Sequence, residues 1–439
     1  MNRSFARVVA SLALVVLAPT AFAQSSIKRY MFSTQKAEDI RTELGKSAVK
    51  VSEEWKAPTT GLPIRMRGMG SSGYATTFLI DHVGGRFHVY AERPRPQHPV
   101  GALPYVAQEV VFNTPDAEVS PVGILSYPST GGPFPGVVLV AGTGAHNRDA
   151  GMSLHKTLAV LADHLTRQGF AVLRYDKRGV GLTGGKRHPD STTDDYAADA
   201  LAAVRFLQIQ PNVRATQVGI VGHSEGGIIA SMVAAESPAD VRFIVMLGGT
   251  GLPGIDIKSL QDAAVRRAEG MSEPLVFLNQ SQERELFEIA ASDRTRTEAL
   301  AAMRAATLAL PAPTKTALEI PPEGIPDDAF DALLTPWFRR FLALDPRHYL
   351  ARVGCPVLAL AGEKDLQVPP AENLQEIERA LGKRAPGSEI RRLPGLNHNF
   401  QTARTGKPTE YFLIDETVAP TALGLMSTWM KKVVAQEKR

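Results

Sequence analysis

The sequence predicts an α/β domain built on a mostly parallel, doubly wound sheet, and two observations carry this prediction. From residue 136 onward, apolar runs of strand length alternate with segments of helical periodicity, which is the pattern of strand–helix units in a parallel sheet. The run Gly136–Ala141 is apolar throughout, as expected for a strand that helices cover on both faces.

The strongest single signal is a strand, sharp turn and helix at Val218–Ala230. Here an apolar run ends in Gly-His-Ser-Glu-Gly and passes into an Ala-rich segment. A serine at the tip of such a turn requires small residues two positions before and after it, and Gly222 and Gly226 meet that requirement. We therefore predict Ser224 as a nucleophile. The alternative is a glycine-rich turn whose serine only caps the helix.

The remaining elements follow in chain order, beginning with a predicted hairpin around Glu109–Phe112 and Val122–Pro128. After Gly136–Ala141, the predicted strands are Ala171–Tyr175, Val218–Val221, Phe243–Leu247, Pro356–Ala361 and Glu389–Leu393, and the predicted helices lie near Leu154–Gln168, Asp194–Gln208, Gly227–Ala235, Ala371–Leu381 and Pro420–Val434.

Residues 251–352 interrupt this alternation with a helical period. An insertion between two strands of such a sheet lies at the edge where ligands bind, so we predict a helical cap over Ser224. The aromatic stretch Thr335–Leu342 has helical spacing, which favours core packing beneath the cap over contact with a substrate.

The N-terminal part is interpreted separately from the α/β domain predicted at 105–439. Two arginines, a short apolar run and an Ala-Phe-Ala sequence give Met1–Ala23 the pattern of a secretory signal. We expect cleavage after Ala23, a periplasmic or secreted protein, and no stable membrane insertion, because the apolar run is too short to cross a bilayer. The alternative is a retained anchor. Residues 24–104 are predicted as a small β-rich extension of unknown role.

Composition narrows the function classes. The chain has 439 residues, 44% of them hydrophobic, and a formal net charge of +4. Without a basic stripe, this charge gives no support for nucleic-acid binding. The single cysteine, Cys355, excludes an internal disulfide and a cysteine-based zinc site. We expect no metal and no organic cofactor, and the oligomeric state is unknown at this stage.

A serine nucleophile needs a base, and the base needs an acid that holds its tautomer. In this type of sheet, acid and base follow later strands in the order Ser, acid, His. Asp365 follows one predicted strand and His398 the next, so we predict Ser224, Asp365 and His398 as a catalytic triad. Glu363 and Asp256 are alternatives for the acid.

The oxyanion of such a reaction needs backbone N–H donors. One donor is expected from Glu225, the residue after the nucleophile. The second is expected from the glycine-containing loop after Gly136–Ala141, where we favour Gly144 over Thr143. A further stretch, Arg174–Gly181, has the wrong spacing for a phosphate-binding loop and is interpreted as a strand-ending turn supported by ion pairs.

Five motifs, taken together, resemble the α/β-hydrolase superfamily from about Gln108 to the C-terminus. They are Gly-Thr-Gly-Ala-His-Asn-Arg-Asp, Arg-Tyr-Asp-Lys-Arg-Gly-Val-Gly, Gly-His-Ser-Glu-Gly-Gly, Gly-Glu-Lys-Asp-Leu-Gln-Val-Pro and Gly-Leu-Asn-His. More narrowly, they are similar to bacterial carboxylesterases related to dienelactone hydrolases and acyl-CoA thioesterases. Such relatives usually have Gly-Ser-Gly-Pro at the positions of 142–145. The resemblance implies the same triad and a short-chain acyl ester as substrate.

The expected function is therefore hydrolysis of a small-molecule carboxylic ester through an acyl-enzyme, in a protein that is exported. A thioesterase is one alternative, although coenzyme A thioesters are scarce outside the cytoplasm. A serine peptidase of the same fold is another, although residues 24–104 are too few for the propeller that often accompanies such peptidases. A non-catalytic binding module is the alternative from a different class.

Overall fold

The structure is a computed structural model that describes residues 95–152 and 155–436, together with the backbone of five strands between residues 30 and 92. The predicted signal segment Met1–Ala23 lies outside the described residues. The five strands are β1 Tyr30–Met31, β2 Lys50–Val51, β3 Ile64–Met69, β4 Ala75–Val83 and β5 Arg86–Glu92. They form an antiparallel sheet in the order β1-β5-β4-β3-β2. The small β-rich extension at residues 24–104, whose role is unknown, stays a prediction as a domain.

The main sheet has eight strands. They are β6 Tyr105–Val111, β7 Val122–Pro128, β8 Phe134–Val140, β11 Ala171–Tyr175, β12 Val213–His223, β13 Ile244–Leu247, β14 Val357–Gly362 and β15 Glu389–Leu393, while β9 Gly151–Met152 and β10 His155–Lys156 form a separate short hairpin. The order is β15-β14-β13-β12-β8-β11-β7-β6. In this sheet, β7 pairs antiparallel with both of its neighbours, β6 and β11. The other pairs, which join β11, β8, β12, β13, β14 and β15 in that order, are all parallel. The predicted mostly parallel, doubly wound sheet is confirmed.

Helices fill the connections between these strands. They are α1 Thr157–Arg167, α2 Thr193–Gln208, α3 Glu225–Glu236, α4 Gly254–Ala268, α5 Glu273–Ala291, α6 Arg296–Ala309, α7 Ala312–Ala317, α8 Pro336–Ala343, α9 Arg347–Leu350, α10 Pro370–Leu381 and α11 Pro420–Ala435, with 3₁₀ segments at Asp327–Leu334 and Pro408–Leu413. No helix in the described part of the chain is long and apolar enough to cross a membrane.

The sheet separates two apolar cores because successive side chains of a strand point to opposite faces. In β8, Val138 and Val140 face one core, and Val137 and Leu139 face the other. The first core contains α2, α3 and the helices of the cap, and the second contains α1 and α11. Burying each such Val or Leu side chain contributes about 1.5–3 kcal/mol. Helices on both faces therefore hold the central strands in place.

Helices α4 to α9 occupy the insertion that the sequence predicts as a cap. The cap shares its apolar core with α2 and α3, and Trp337 on α8 is 6% exposed. The Trp337 indole Nε1 donates a hydrogen bond of 2.8 Å to Glu225 Oε1. The aromatic stretch therefore packs inside the molecule, as predicted, and connects the cap to the residue that follows Ser224.

Candidate active site

Ser224 lies at the tip of a turn between β12 and α3, with backbone angles φ 56° and ψ −121°. A residue other than glycine rarely adopts a positive φ, and strain of this kind concentrates at functional sites. A Cβ at Gly222 would overlap the carbonyl oxygen of Gly226, and a Cβ at Gly226 would overlap that of Val140. The two glycines are thus required by the close passage of strand and helix, as the sequence predicts.

Asp365 and His398 come together from the loops after β14 and β15. His398 Nδ1 lies 2.7 Å from Asp365 Oδ2, and both side chains are buried. The other carboxylate oxygen, Oδ1, accepts hydrogen bonds of 2.8 Å from the backbone N–H groups of Gln367 and Val368. These bonds fix the carboxylate, so that Oδ2 holds the proton on Nδ1 and leaves Nε2 of His398 as a base.

Contacts through the backbone bring His398 next to the turn that carries Ser224. The residue before the serine, His223, lies with its Nε2 3.0 Å from the carbonyl oxygen of His398. A carbonyl can only accept, so this Nε2 carries the proton and donates it. On the other side, Ser224 N–H donates to Leu247 O at 2.8 Å, and a Cβ at the next residue, Gly248, would lie 3.2 Å from His398 Nδ1.

Among the described residues, the Ser224 hydroxyl makes no hydrogen bond to His398. The structure thus shows the acid–base pair formed and the serine on the adjoining turn. In enzymes of this type, a bond between nucleophile and base often tightens only when substrate binds.

The alternative acids lie elsewhere. Glu363 is exposed, and its Oε2 accepts from the backbone N–H of Gly395. Asp256 is on α4, where its Oδ1 accepts from Arg284 Nη1 at 2.8 Å. Neither residue contacts His398 in the part of the chain that the structure describes. The geometry favours Asp365.

The loop after β8 lies directly against Ser224. A Cβ at Gly142 would lie 3.0 Å from Ser224 Cβ, so the loop passes close to Ser224 at this residue. Two side chains hold the carbonyl groups of this loop: Lys177 Nζ donates to Gly142 O at 2.6 Å, and His146 Nε2 lies 2.8 Å from Thr143 O. The predicted donors Thr143 and Gly144 therefore stand in a braced loop, and the two remain alternatives at this point.

The side chain of Glu225 belongs to a buried polar cluster behind this loop. Its Oε1 accepts hydrogen bonds from Thr193 Oγ1 at 2.7 Å and from the indole of Trp337. Lys177 Nζ lies 3.7 Å from Glu225 Oε2 and 4.0 Å from the centroid of the Tyr196 ring. The backbone N–H of Glu225 is in the first turn of α3, where N–H groups have no partner within the helix.

The pKa values around the site follow from burial and charge. Burial raises the pKa of Glu225, but the charge of Lys177 and the hydrogen bonds from Trp337 and Thr193 outweigh it and hold the pKa below its usual value. Burial lowers the pKa of Lys177, and Glu225 opposes this shift. Burial and the charge of Lys177 lower the pKa of His146 to about 4, and burial lowers the pKa of His223 to about 3. Both imidazoles are therefore neutral at pH 7 and serve as hydrogen-bonding groups.

The stretch Arg174–Gly181 contains the ion pairs that the sequence predicts there. Asp176 pairs with Arg148, and Arg178 pairs with Asp199. The sequence did not indicate that the Lys177 ammonium reaches Gly142 O or that the His223 side chain reaches the carbonyl of His398. The available signal for Lys177 was its position just after β11, because β11 neighbours β8 and the carboxyl ends of parallel strands share one edge of a sheet.

No three His, Cys, Asp or Glu side chains are grouped as metal ligands among the described residues. The chemistry that the arrangement itself offers is nucleophilic: a strained serine, an imidazole oriented by a carboxylate, and backbone N–H groups beside the serine.

The chain is similar to known hydrolases over part of its length. A model described as "Serine aminopeptidase, S33" matches residues 138–307. In sequence, the chain is 33% identical over 141 residues to "Esterase EstD" of Thermotoga maritima, covering 31% of this chain and 33% of that protein. It is 30% identical over 115 residues to "Putative carbamate hydrolase RutD" of Escherichia coli, covering 26% of this chain and 38% of that protein. The chain thus spans about a third of the length of these curated relatives.

Two solved structures are similar at low identity. Est1E from Butyrivibrio proteoclasticus has a TM-score of 0.43 at 17% identity, over 75% of this chain and 99% of that chain. The α/β hydrolase GrgF from a Penicillium species has a TM-score of 0.47 at 18% identity, over 75% of this chain and all of that chain, 100%.

The fold and the site define a class of protein. A mostly parallel sheet of this strand order, with a strained serine between a central strand and the following helix, is the architecture of α/β hydrolases. The family model that matches residues 138–307 supports an assignment to the α/β-hydrolase superfamily.

Proposed function

We propose that this protein is a serine hydrolase that cleaves carboxylic esters through an acyl-enzyme. The observation that carries the proposal is the strained turn at Ser224 beside the buried His398–Asp365 pair. The similarity to a protein named as an esterase supports an ester as the substrate. The resemblance of the sequence motifs to bacterial carboxylesterases favours a short acyl group.

The proposed reaction has two steps. His398 Nε2 removes the proton from the Ser224 hydroxyl as Oγ bonds to the acyl carbon, and His398 then gives this proton to the departing alcohol as the ester C–O bond breaks. In the second step, the same imidazole deprotonates a water molecule as the water bonds to the acyl carbon. The bond from this carbon to Ser224 Oγ then breaks, the acid leaves, and the proton returns from His398 to Oγ. Asp365 keeps the imidazole in the required tautomer, and the N–H of Glu225 with one N–H of the 142–144 loop holds the oxyanion.

A second candidate is hydrolysis of an amide, because the matching family model is described as a serine aminopeptidase. The same nucleophile, base and acid perform acyl transfer from an amine leaving group. A thioesterase uses them as well. The preferred leaving group therefore has to be determined by comparing the hydrolysis of different substrates.

The experiment compares wild type and Ser224→Ala on p-nitrophenyl esters of rising acyl length and on aminoacyl p-nitroanilides. We expect ester hydrolysis by wild type, with a maximum at short acyl chains, and a loss of about 10⁶-fold in kcat for the variant. Faster turnover of the anilides than of the esters would support the aminopeptidase candidate instead. Wild type that is inert on both substrate sets would contradict the proposal.

Ser231→Ala is the matched control for this experiment. Ser231 lies on α3, is buried, and donates its hydroxyl hydrogen bond to Ile228 O within the helix. Since alanine is a better helix former than serine, we expect this variant to fold and to retain the activity of wild type. Loss of activity in Ser224→Ala alone then assigns the effect to the nucleophile.

We also propose that the protein is exported, with cleavage after Ala23. The support is the sequence pattern of Met1–Ala23. Expression of the full chain in a Gram-negative host, followed by fractionation and N-terminal sequencing, should give a periplasmic or secreted protein that begins at Gln24. A cytoplasmic protein with an intact N-terminus would contradict this.

A further inference from the structure

Lys177 is a buried lysine beside the predicted oxyanion hole, and sequence interpretation gave it no role there. It follows β11, next to β8, and 5% of its side chain is exposed. Its backbone N–H donates to His146 O at 3.1 Å, and its Nζ donates to Gly142 O at 2.6 Å. Lys177 therefore holds both ends of the loop from residue 142 to residue 146.

The bond to Gly142 O fixes the orientation of one particular N–H group. A trans peptide unit is planar, and its C=O and N–H point in opposite directions. The peptide unit whose oxygen binds Lys177 carries the N–H of Thr143. Because this oxygen points to Lys177, the Thr143 N–H points away from Lys177. The positive charge of the Lys177 ammonium, bound to this oxygen, also draws electron density from the peptide unit. The N–H of Thr143 thereby becomes a stronger hydrogen-bond donor.

The contacts of Lys177 show that neutralising Glu225 is not its main interaction. The ammonium is closer to the Gly142 carbonyl than to the carboxylate, at 2.6 Å against 3.7 Å. Glu225 Oε1 is occupied by Thr193 and Trp337, and its Oε2 has no hydrogen-bond partner among the described residues. The carboxylate and the Tyr196 ring, whose centroid is 4.0 Å away, thus surround a cation that is aimed at the loop.

We propose that Lys177 is a positioning residue for the oxyanion hole: it orients and polarises the peptide unit between Gly142 and Thr143, so that the Thr143 N–H, rather than that of Gly144, is the second donor beside Glu225 N–H. This inference rests on the proposed function. It also explains the Glu225 side chain, which holds the cation in place while the N–H of the same residue faces the substrate.

The test uses the full-length protein and three variants: Lys177→Met, the double variant Lys177→Met/Glu225→Gln, and His146→Phe. The double variant leaves no unpaired buried charge, and it retains the test if Lys177→Met alone does not fold. His146→Phe removes the bond to Thr143 O, the carbonyl of the peptide unit that carries the Gly144 N–H. Activity is measured per folded active site, by titration with a fluorophosphonate, on the best p-nitrophenyl ester.

We expect both Lys177 variants to lose about 100-fold in kcat, as when an oxyanion donor is removed, with KM changed less than about threefold. The inhibition constant of a trifluoromethyl ketone, whose adduct carries an oxyanion, should rise by the same factor by which kcat/KM falls. The loss in His146→Phe should be smaller. If Lys177 only stabilised the fold, its replacement would lower the unfolding temperature without a large loss in kcat at nearly constant KM.

Three results would overturn the inference: unchanged kcat in Lys177→Met, recovery of wild-type kcat in the double variant, or a larger loss in His146→Phe than in Lys177→Met. The second result would mean that Lys177 serves only to neutralise Glu225, and the third would assign the donor to Gly144. Failure of the proposed function is a distinct outcome, in which wild type itself neither turns over the esters nor binds the trifluoromethyl ketone.

Discussion

Asp365 divides its two carboxylate oxygens between two tasks. Oδ1 accepts from two backbone N–H groups, and Oδ2 faces His398 Nδ1 at 2.7 Å. A carboxylate is required because all these partners are donors. An asparagine in the same place could keep its oxygen on the backbone and would then present its NH₂ group to the imidazole.

Asp365→Asn should therefore fold and lose most of its activity. The NH₂ group would force Nδ1 of His398 to accept, which moves the proton to Nε2 and removes the base. We expect kcat to fall by about 10⁴-fold, with a smaller change in KM, measured by steady-state ester hydrolysis. Circular dichroism checks the fold.

Glu363→Gln is the matched control for this prediction, since Glu363 is the nearest alternative acid in sequence and is exposed. We expect it to keep kcat within about threefold of wild type, in line with the small effects of exposed substitutions. Should Glu363→Gln lose as much activity as Asp365→Asn, the assignment of the acid is wrong.

At the scale of the element, the turn from β12 to α3 is set by how closely strand and helix pass. A methyl group at Gly222 has no room, because it would overlap the backbone carbonyl of Gly226. A carbonyl of the main chain cannot rotate away as a flexible side chain can. Helix α3 is also buried almost all round, between the sheet and the core of the cap, so it has no free direction in which to move.

Gly222→Ala should consequently both destabilise the protein and displace Ser224. We expect a loss at or above the upper end of the about 1–3 kcal/mol that overpacking costs, seen as a lower urea midpoint, and a large drop in kcat. Gly424→Ala is the control, because Gly424 lies in α11 and an added methyl group there would have nothing within 4 Å. It should raise stability slightly, by about 0.5–1 kcal/mol. Equal midpoints for the two variants would contradict the steric explanation.

At the scale of the whole molecule, several histidines are shielded from solvent in different parts of the fold: His155 and His188 are buried, and His146 and His223 are half-buried. Burial is the largest cause that lowers the pKa of His188 to about 4 and that of His155 to about 3. His146 and His223 are lowered to about 4 and about 3. All four imidazoles are neutral in the folded protein at pH values where the unfolded chain, with a histidine pKa of about 6.5, already binds protons.

Stability should therefore fall on acidification, beginning near pH 6.5. Because the unfolded state binds more protons than the folded state between pH 6.5 and pH 4, the free energy of unfolding decreases as pH falls, by up to about 1.4 kcal/mol per pH unit for each such histidine. The urea midpoint measured from pH 7 to pH 4.5 checks this. His188→Phe, which keeps a ring against Trp337, should reduce the decrease of the free energy of unfolding with falling pH by the contribution of one histidine. The same slope in both proteins would contradict the role of His188.

Much of this fold could be predicted from short-range patterns in the sequence. Burial on both faces makes β8 apolar along its whole length, so the strand, its neighbours and the helices between them are visible as period and composition. The placement of the three predicted triad residues on one side of the sheet was predictable for a related reason. Ser224, Asp365 and His398 each follow a strand, and the carboxyl ends of parallel strands meet at one edge of the sheet. The sequence predicted Asp365 as the acid, with Glu363 and Asp256 as alternatives, and the hydrogen bond to His398 favours Asp365.

The sequence by itself determined the sheet, the turn at Ser224 and the loops that carry Asp365 and His398, because each depends on neighbours a few residues apart. Only the tertiary structure decided what surrounds them. Trp337 reaches Glu225 from the cap, His223 reaches the His398 carbonyl, and Lys177 reaches Gly142 O. These contacts join residues from separate parts of the chain, so the periodicity of the sequence does not predict them. Their existence depends on how the two layers of helices and the sheet pack together.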